Sequence, residues 1–185
     1  VTILETDRLL LRVFRPEDLD AFAQIEADPE VMRFYPSGPR PREWAERGVR
    51  SFIRTQEERG FSLWAVVHKA DGPLIGYCGL VPQTLNGAEE VEVGYKLARA
   101  YWGQGLATEA ARAVRDWGFA HLGVPRLVSL IDPGNAASIR VAEKSGMRHE
   151  TDAEYDGKTC GIYAVRREEW GRTGHEAKAP LRPPR

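Results

Sequence analysis

The chain of 185 residues is long enough for one domain with a real core, and its 42% hydrophobic and 29% charged residues are ordinary for a globular protein. A formal net charge of −1 gives no pull toward nucleic acid or an anionic membrane, and no apolar run reaches the length of a transmembrane helix. Two cysteines, Cys78 and Cys160, and four scattered histidines make neither a disulfide framework nor a metal-ligand spacing, so no metal is expected.

From the N-terminus, residues 2–14 (TILETDRLLLRVF) alternate loosely and read as a first strand. Residues 15–28 carry Pro16 in the first turn, acids after it, and Leu19, Phe22, Ala23 and Ile25 on one side, the pattern of a helix. SGPRP breaks the chain before a second helix over 41–59. FSLWAVVHK and LIGYCGLV, joined by ADGP, predict a hairpin, and EVEVGYKL a further strand. Residues 105–121 place Leu106, Ala110, Ala113, Val114 and Trp117 at helical spacing. RLVSLI predicts a strand, 135–145 a short helix closed by Gly146, and 149–165 a hairpin on Asp156-Gly157. The tail, 171–185, is polar and proline-rich and is assigned no structure. The order β-α-α-β-β-β-α-β-α-β-β makes residues 1–170 one α+β domain. It is a largely antiparallel sheet flanked by helices, with one β-α-β crossover.

The crossover contains YWGQGLATEA, with Gly103 and Gly105 at the mouth of a helix. Unpaired N–H groups and the helix dipole make such a place an anion site, and the glycines allow close approach and positive φ. Phosphate is the natural guest. The loop is not a P-loop, since it lacks Gly-Lys-Ser/Thr. It departs from the dinucleotide fingerprint as well, because Thr108 stands at the third glycine and the loop follows an antiparallel meander. A tight turn whose glycines serve packing alone is the plain alternative.

VEVGYKLARAYWGQGLATEA followed by DPGNAASIRVAEKSGM resembles the GNAT superfamily of acyl-CoA-dependent N-acetyltransferases. LETDRLLLRVFRPEDLDAF and IYAVRREEW are similar to its branch of ribosomal-protein N-terminal acetyltransferases. The resemblance spans nearly all of residues 3–170. It implies a GNAT-like fold, acetyl-CoA as co-substrate, and a coenzyme A pyrophosphate held at Trp102, Gly103, Gln104, Gly105, Leu106, Ala107 and Thr108, mostly by backbone N–H. The strand end at Tyr95, Lys96 and Leu97 would pair with the pantetheine amides, and Asn135 and Ser138 would face the pantetheine and the sulfur.

In the implied reaction an amine attacks the thioester directly, which calls for a base, an oxyanion partner and an acid for the sulfur. Ser138 is the candidate for the sulfur, because the tyrosine that much of the family carries on this helix is missing from NAASIRVAEKSG. Asn135 as N-cap with Ser138 three residues on is the structural reading of the same pair. Glu92 and Glu154 compete for the base, with Glu92 preferred for its place near the strand end. Cys78, in an apolar strand, reads as a structural thiol rather than a ping-pong nucleophile. Tyr35 is a candidate for contact with the acceptor. The acceptor is expected to be a protein N-terminus or a small-molecule amine. A catalytically silent coenzyme A-binding sensor or scaffold is the alternative function. A cytoplasmic setting follows from the missing signal-peptide layout, and dimers are common among proteins of this resemblance.

Overall fold

The computed structural model describes residues 1–172; residues 173–185, most of the expected tail, lie outside the described residues. The elements are β1 (Thr2–Glu5), β2 (Leu9–Arg12), α1 (Leu19–Ala27), α2 (Arg42–Arg59), β3 (Leu63–His68), β4 (Leu74–Leu85) and β5 (Ala88–Leu97). Then follow α3 (Leu106–His121), β6 (Arg126–Ile131), α4 (Ala136–Lys144), β7 (Arg148–Tyr155), β8 (Lys158–Arg166) and α5 (Arg167–Arg172). Eight strands form one sheet in the order β1-β2-β3-β4-β5-β6-β8-β7, and the expected α+β class holds.

Three sequence expectations change. The first strand is a hairpin, because Thr6 turns the chain: its N–H donates to the Leu9 carbonyl (2.9 Å) and its hydroxyl accepts from the Leu9 N–H (3.0 Å). The strands expected at 74–81 and from 90 extend to meet at Asn86-Gly87, where both residues have positive φ and close a tight hairpin. The chain after Val165 continues into α5, so the C-terminal stretch carries a short helix that apolar periodicity did not mark.

The sheet is packed on both faces. Phe14, Phe22, Ala45 and Val49 join α1 and α2 to Ala65, Leu74 and Tyr77 on one side. On the other, Leu106, Ala110, Val114 and Phe119 of α3 cover Trp64, Ile75, Leu80 and Leu127. Gly146 (φ +83) ends α4: its N–H donates to the Glu143 carbonyl and the Met147 N–H to that of Ala142. That pair of bonds is a Schellman cap.

What positions the site is a flaw in the ladder. The parallel strands β5 and β6 share a single bridge, Glu92 with Val128. Past it Ser129 Oγ donates to the Val93 carbonyl at 2.7 Å, and the C-terminal ends of both strands then border open space.

Candidate active site

Two cavities open where β5 and β6 part. The first, a groove of about 400 Å³, is bordered by the end of β5, the glycine loop, the start of α3 and α4. The second, a cleft of about 290 Å³, lies on the other side of the same strand ends. Tyr95, Asn135 and Ser138 line both, as do Phe34 and Tyr35 from the 28–41 loop.

Backbone conformation shapes the groove where the glycine loop meets α3. Gly103 (φ +73) and Gly105 (φ +77) are left-handed, a conformation that explains both glycines without any packing demand, since an added Cβ on Gly103 would meet no protein atom. Gly105 is the N-cap of α3, and the first intrahelical bond runs from the Glu109 N–H to the Gly105 carbonyl (3.0 Å). The N–H groups of Leu106, Ala107 and Thr108 therefore precede the helical ladder, at the positive end of the dipole. An acid, Glu109, sits in that same first turn, and it is neutralised. Arg8 Nε and Nη2 each lie 2.7 Å from its Oε2, and Thr6 Oγ1 donates to its Oε1 at 2.6 Å. Burial pushes the Glu109 carboxyl up, but these bonds outweigh it and hold the group below its ordinary range. Arg8 Nη1 also binds the Gln104 carbonyl (2.9 Å), which fixes the loop to the β1–β2 turn.

Of the residues expected at the donor site, all but Gln104 border the groove. The Gln104 amide turns back to the Ala100 carbonyl (3.1 Å). Trp102 is exposed, and its indole N–H donates to the Leu97 carbonyl at 2.8 Å. The Lys96 side chain ends in the interior, away from the solvent. Its Nζ is buried 2.8 Å from Glu26 Oε1, and burial lowers the ammonium to about 8 against the pull of Glu26. Asn135 caps α4, its Oδ1 accepting from the Ser138 N–H at 3.1 Å. The Ser138 carbonyl accepts from the Tyr95 hydroxyl at 2.8 Å, a side-chain role for Tyr95 that sequence reasoning missed. Burial raises the Tyr95 phenol, which keeps its proton.

The cleft is made of side chains. Glu92 enters it from β5, with Oε2 accepting from Gln83 Nε2 (2.6 Å) and Oε1 facing the Leu130 N–H at 3.5 Å. Burial pushes the Glu92 carboxyl above the usual range, while the Gln83 and Leu130 bonds pull it back. Gln83 also donates to the Tyr155 hydroxyl (3.2 Å), which joins β4 to the end of β7 across the cleft. Tyr35 and Tyr77 also line the cleft, and burial pushes Tyr35 up to about 12. Asp132 and Asp156 add negative charge at the cleft edge, with Lys158 Nζ 3.9 Å from Asp132. Glu154 is not brought into this company: it is exposed on β7, accepting from the Thr159 hydroxyl, because the residue that the pleat turns toward the cleft is its neighbour Tyr155.

Cys78 is buried in the core and borders neither cavity. Cys160 does border the cleft, but burial and nearby Asp132 and Glu92 raise its thiol, the reverse of an activated nucleophile. Among the described residues no group of three His, Cys, Asp or Glu side chains is placed to hold a metal ion. No helix among them is long and apolar enough to cross a membrane.

A family described as acetyltransferase (GNAT) domain matches residues 8–148. The chain is 40% identical over 163 residues to the uncharacterized protein YkkB of Bacillus subtilis, covering 88% of this chain and 94% of that one. It is 28% identical to the spermidine N(1)-acetyltransferase of Escherichia coli K12 over 83% of this chain and 80% of the relative. A GNAT-family acetyltransferase structure from Bacillus anthracis superposes with a TM-score of 0.77 at 27% identity, covering 91% of this chain and all of that one (100%). With a glycine loop at a helix N-terminus, a strand parted from its neighbour beside it, and a family match across most of its length, this chain belongs to the GNAT acetyltransferase family.

Proposed function

We propose that the protein transfers an acetyl group from acetyl-CoA to a primary amine by direct attack, with Glu92 as general base. The observation that carries this reading is the junction of the two cavities at Tyr95, Asn135 and Ser138. An anion-binding groove enters from one side, and a carboxylate with a raised pKa waits on the other.

The residues present fit a coenzyme A thioester. The N–H groups at the start of α3 suit a diphosphate, and the end of β5, open on its β6 side, suits an amide-bearing arm laid beside it as another strand would lie. Bound there, acetyl-CoA supplies an activated acyl group. Glu92 takes the proton that the amine must lose, at Oε1, since Oε2 is already held by Gln83. Its raised pKa matches the task, because a base works best when its pKa lies near the operating pH. Ser138 contributes a hydroxyl at the junction as the group facing the departing sulfur. Tyr95, whose proton is already given to the Ser138 carbonyl, forms the wall that keeps the two partners in line.

For the acceptor, Tyr35, Tyr77 and Tyr155 together with Glu92, Asp132 and Asp156 favour a cationic amine in an aromatic setting. A cavity of about 290 Å³ takes the reactive end of such a molecule, which a protein N-terminus or a small amine both present. The spermidine-acetylating relative supports the small-amine arm of this reading.

The test is thermal unfolding with acetyl-CoA, with NAD as control, followed by thiol release across a panel of amines. Donor at a hundredfold over its dissociation constant adds about 2.7 kcal/mol, a rise of roughly 5–11 °C for a domain of this size. A shift with acetyl-CoA and thiol release with at least one amine are expected. No shift at saturating donor sinks the donor assignment. A shift without turnover leaves a coenzyme A-binding domain that does not transfer.

A further inference from the structure

We propose that Lys96 is a positioning residue: from the donor strand, its ammonium holds the 28–41 loop in the shape that makes Tyr35 a shared wall of groove and cleft. This rests on the reading of the two cavities as donor and acceptor sites. The loop joins α1 to α2 with no strand or helix of its own. Its internal backbone bonds are local turns, from the Met32 N–H to Asp28, the Tyr35 N–H to Met32 and the Gly38 N–H to Tyr35. Turns of this kind leave the placement of a loop on the sheet unspecified.

Lys96 specifies it. Its Nζ is 2.8 Å from Glu26 Oε1, 3.2 Å from Met32 Sδ and 3.9 Å from the centroid of the Tyr35 ring. These three nearest partners run from the end of α1 to the middle of the loop, with the Tyr77 ring of β4 farther off at 5.4 Å. The other end of the loop closes on the same carboxylate: Arg40 Nη1 lies 3.4 Å from Glu26 Oε2, and the Arg40 N–H donates to the Glu26 carbonyl at 2.8 Å. Arg40 in turn stacks on Trp44 of α2, 3.7 Å from the ring centroid. Glu26 is fully buried and Lys96 is 6% exposed. Stability is a weak reason for such a pair, since well-packed apolar side chains in its place are often as stabilising or more so. Direction is what they lack. A methionine at position 96 fills the volume but aims nothing at the Tyr35 ring. Because Lys96 lies on β5 with Glu92, the tether sets the acceptor wall from the strand that carries the proposed base.

The experiment compares Lys96→Met, Glu26→Gln and the double variant Glu26→Leu/Lys96→Met with the parent protein. Amide hydrogen exchange is read without any substrate. Single variants should speed exchange at Met32, Tyr35 and Gly38 by about tenfold or more while β4 and α3 keep their protection. Acceptor KM should rise by about tenfold and donor KM by clearly less, because the loosened Tyr35 wall borders both cavities while the start of α3 still holds the donor. The double variant leaves no unpaired buried charge from this pair, although Arg40 loses its Glu26 contact, and should regain much of the thermal midpoint lost by the single variants but neither the loop protection nor the acceptor KM. Parent-like exchange in the loop of Lys96→Met would overturn the proposal, and so would a double variant with parent-like acceptor KM. If the protein acetylates no amine, the function proposed above fails by itself, and the exchange measurement still decides the tether.

Discussion

The groove and the cleft share a wall yet are built from different materials. The groove is marked by backbone in unusual conformations: two left-handed glycines, the amides of a helix start and a strand end that is paired with β4 but open on its β6 side. The cleft consists of side chains that arrive from β4, β5, the 28–41 loop and the β7–β8 hairpin, and its chemistry depends on which of them touch. Backbone binds whatever carries the right charges at the right spacing, so it suits a donor common to many reactions. Side chains can be exchanged one at a time, so they suit an acceptor that differs from one relative to the next.

The largest effect should come from Glu92, the acid proposed as the base. Glu92→Gln keeps the shape and the Gln83 contact but cannot take a proton. Its kcat should fall by about 10²–10⁴-fold, the usual worth of a general base. The thermal shift with acetyl-CoA should stay at the parent value. Thiol-release kinetics and unfolding curves read the two sides separately, and a loss of donor binding in this variant would erase the distinction between groove and cleft.

The opposite lesion is Gly105→Val. At φ +77 a β-branched residue pays a left-handed penalty of about 1–2 kcal/mol, and the amides that follow are displaced with it. Donor affinity should drop by about tenfold or more, since each 1.4 kcal/mol is a factor of ten. Acceptor KM, taken at saturating donor, should hold. Gly105→Asn, which tolerates this conformation, should keep most of the affinity. Equal damage from valine and asparagine in a titration with acetyl-CoA would show that the backbone geometry is not what binds.

This contrast also explains what could be read in advance. The groove is nearly contiguous in sequence, and glycines before an apolar-periodic helix advertise a backbone site directly. Helices α2, α3 and α4 and the β7–β8 hairpin were legible for the same local reasons, from apolar spacing and from Asp156-Gly157. Of the cleft only single residues such as Glu92 and Tyr35 were legible, because its bonds are long-range: Gln83 and Tyr155 are 72 residues apart, and Lys96 and Glu26 are 70. Reading Lys96 as a backbone contact left its side chain unassigned, since a buried lysine has no sequence signature without its partner. One missed signal was available. Asn86-Gly87 is a two-residue hairpin turn, and counting back from it pairs Val81 with Glu92 and puts Gln83 two residues along on the same face. Thr6-Asp7 likewise marked a turn within a run whose apolar character drew it into one strand.

The smallest effect is the most specific to the cleft. Gln83 donates to the Glu92 carboxylate at 2.6 Å, and a bond to the charged form favours ionisation. Burial acts the other way and is the larger influence, which is why the carboxyl sits above its ordinary range. Gln83→Leu removes the bond and leaves the burial, so the Glu92 carboxyl must move further up. A base is active when ionised, hence kcat/KM falls as pH drops through this pKa, and the acid limb of the profile should shift to higher pH. Loss of a hydrogen bond to a charged group corresponds to about one pH unit. Tyr35, Tyr95 and Cys160 all feel the Glu92 charge, but each is itself raised and stays protonated through the acid limb, so none of them can supply the shift. Donor KM should not move, because Gln83 borders the cleft and not the groove. An acid limb that stays in place in Gln83→Leu would mean that the ionisation governing turnover is not that of Glu92. The cleft would then recognise the acceptor while the proton leaves by another route.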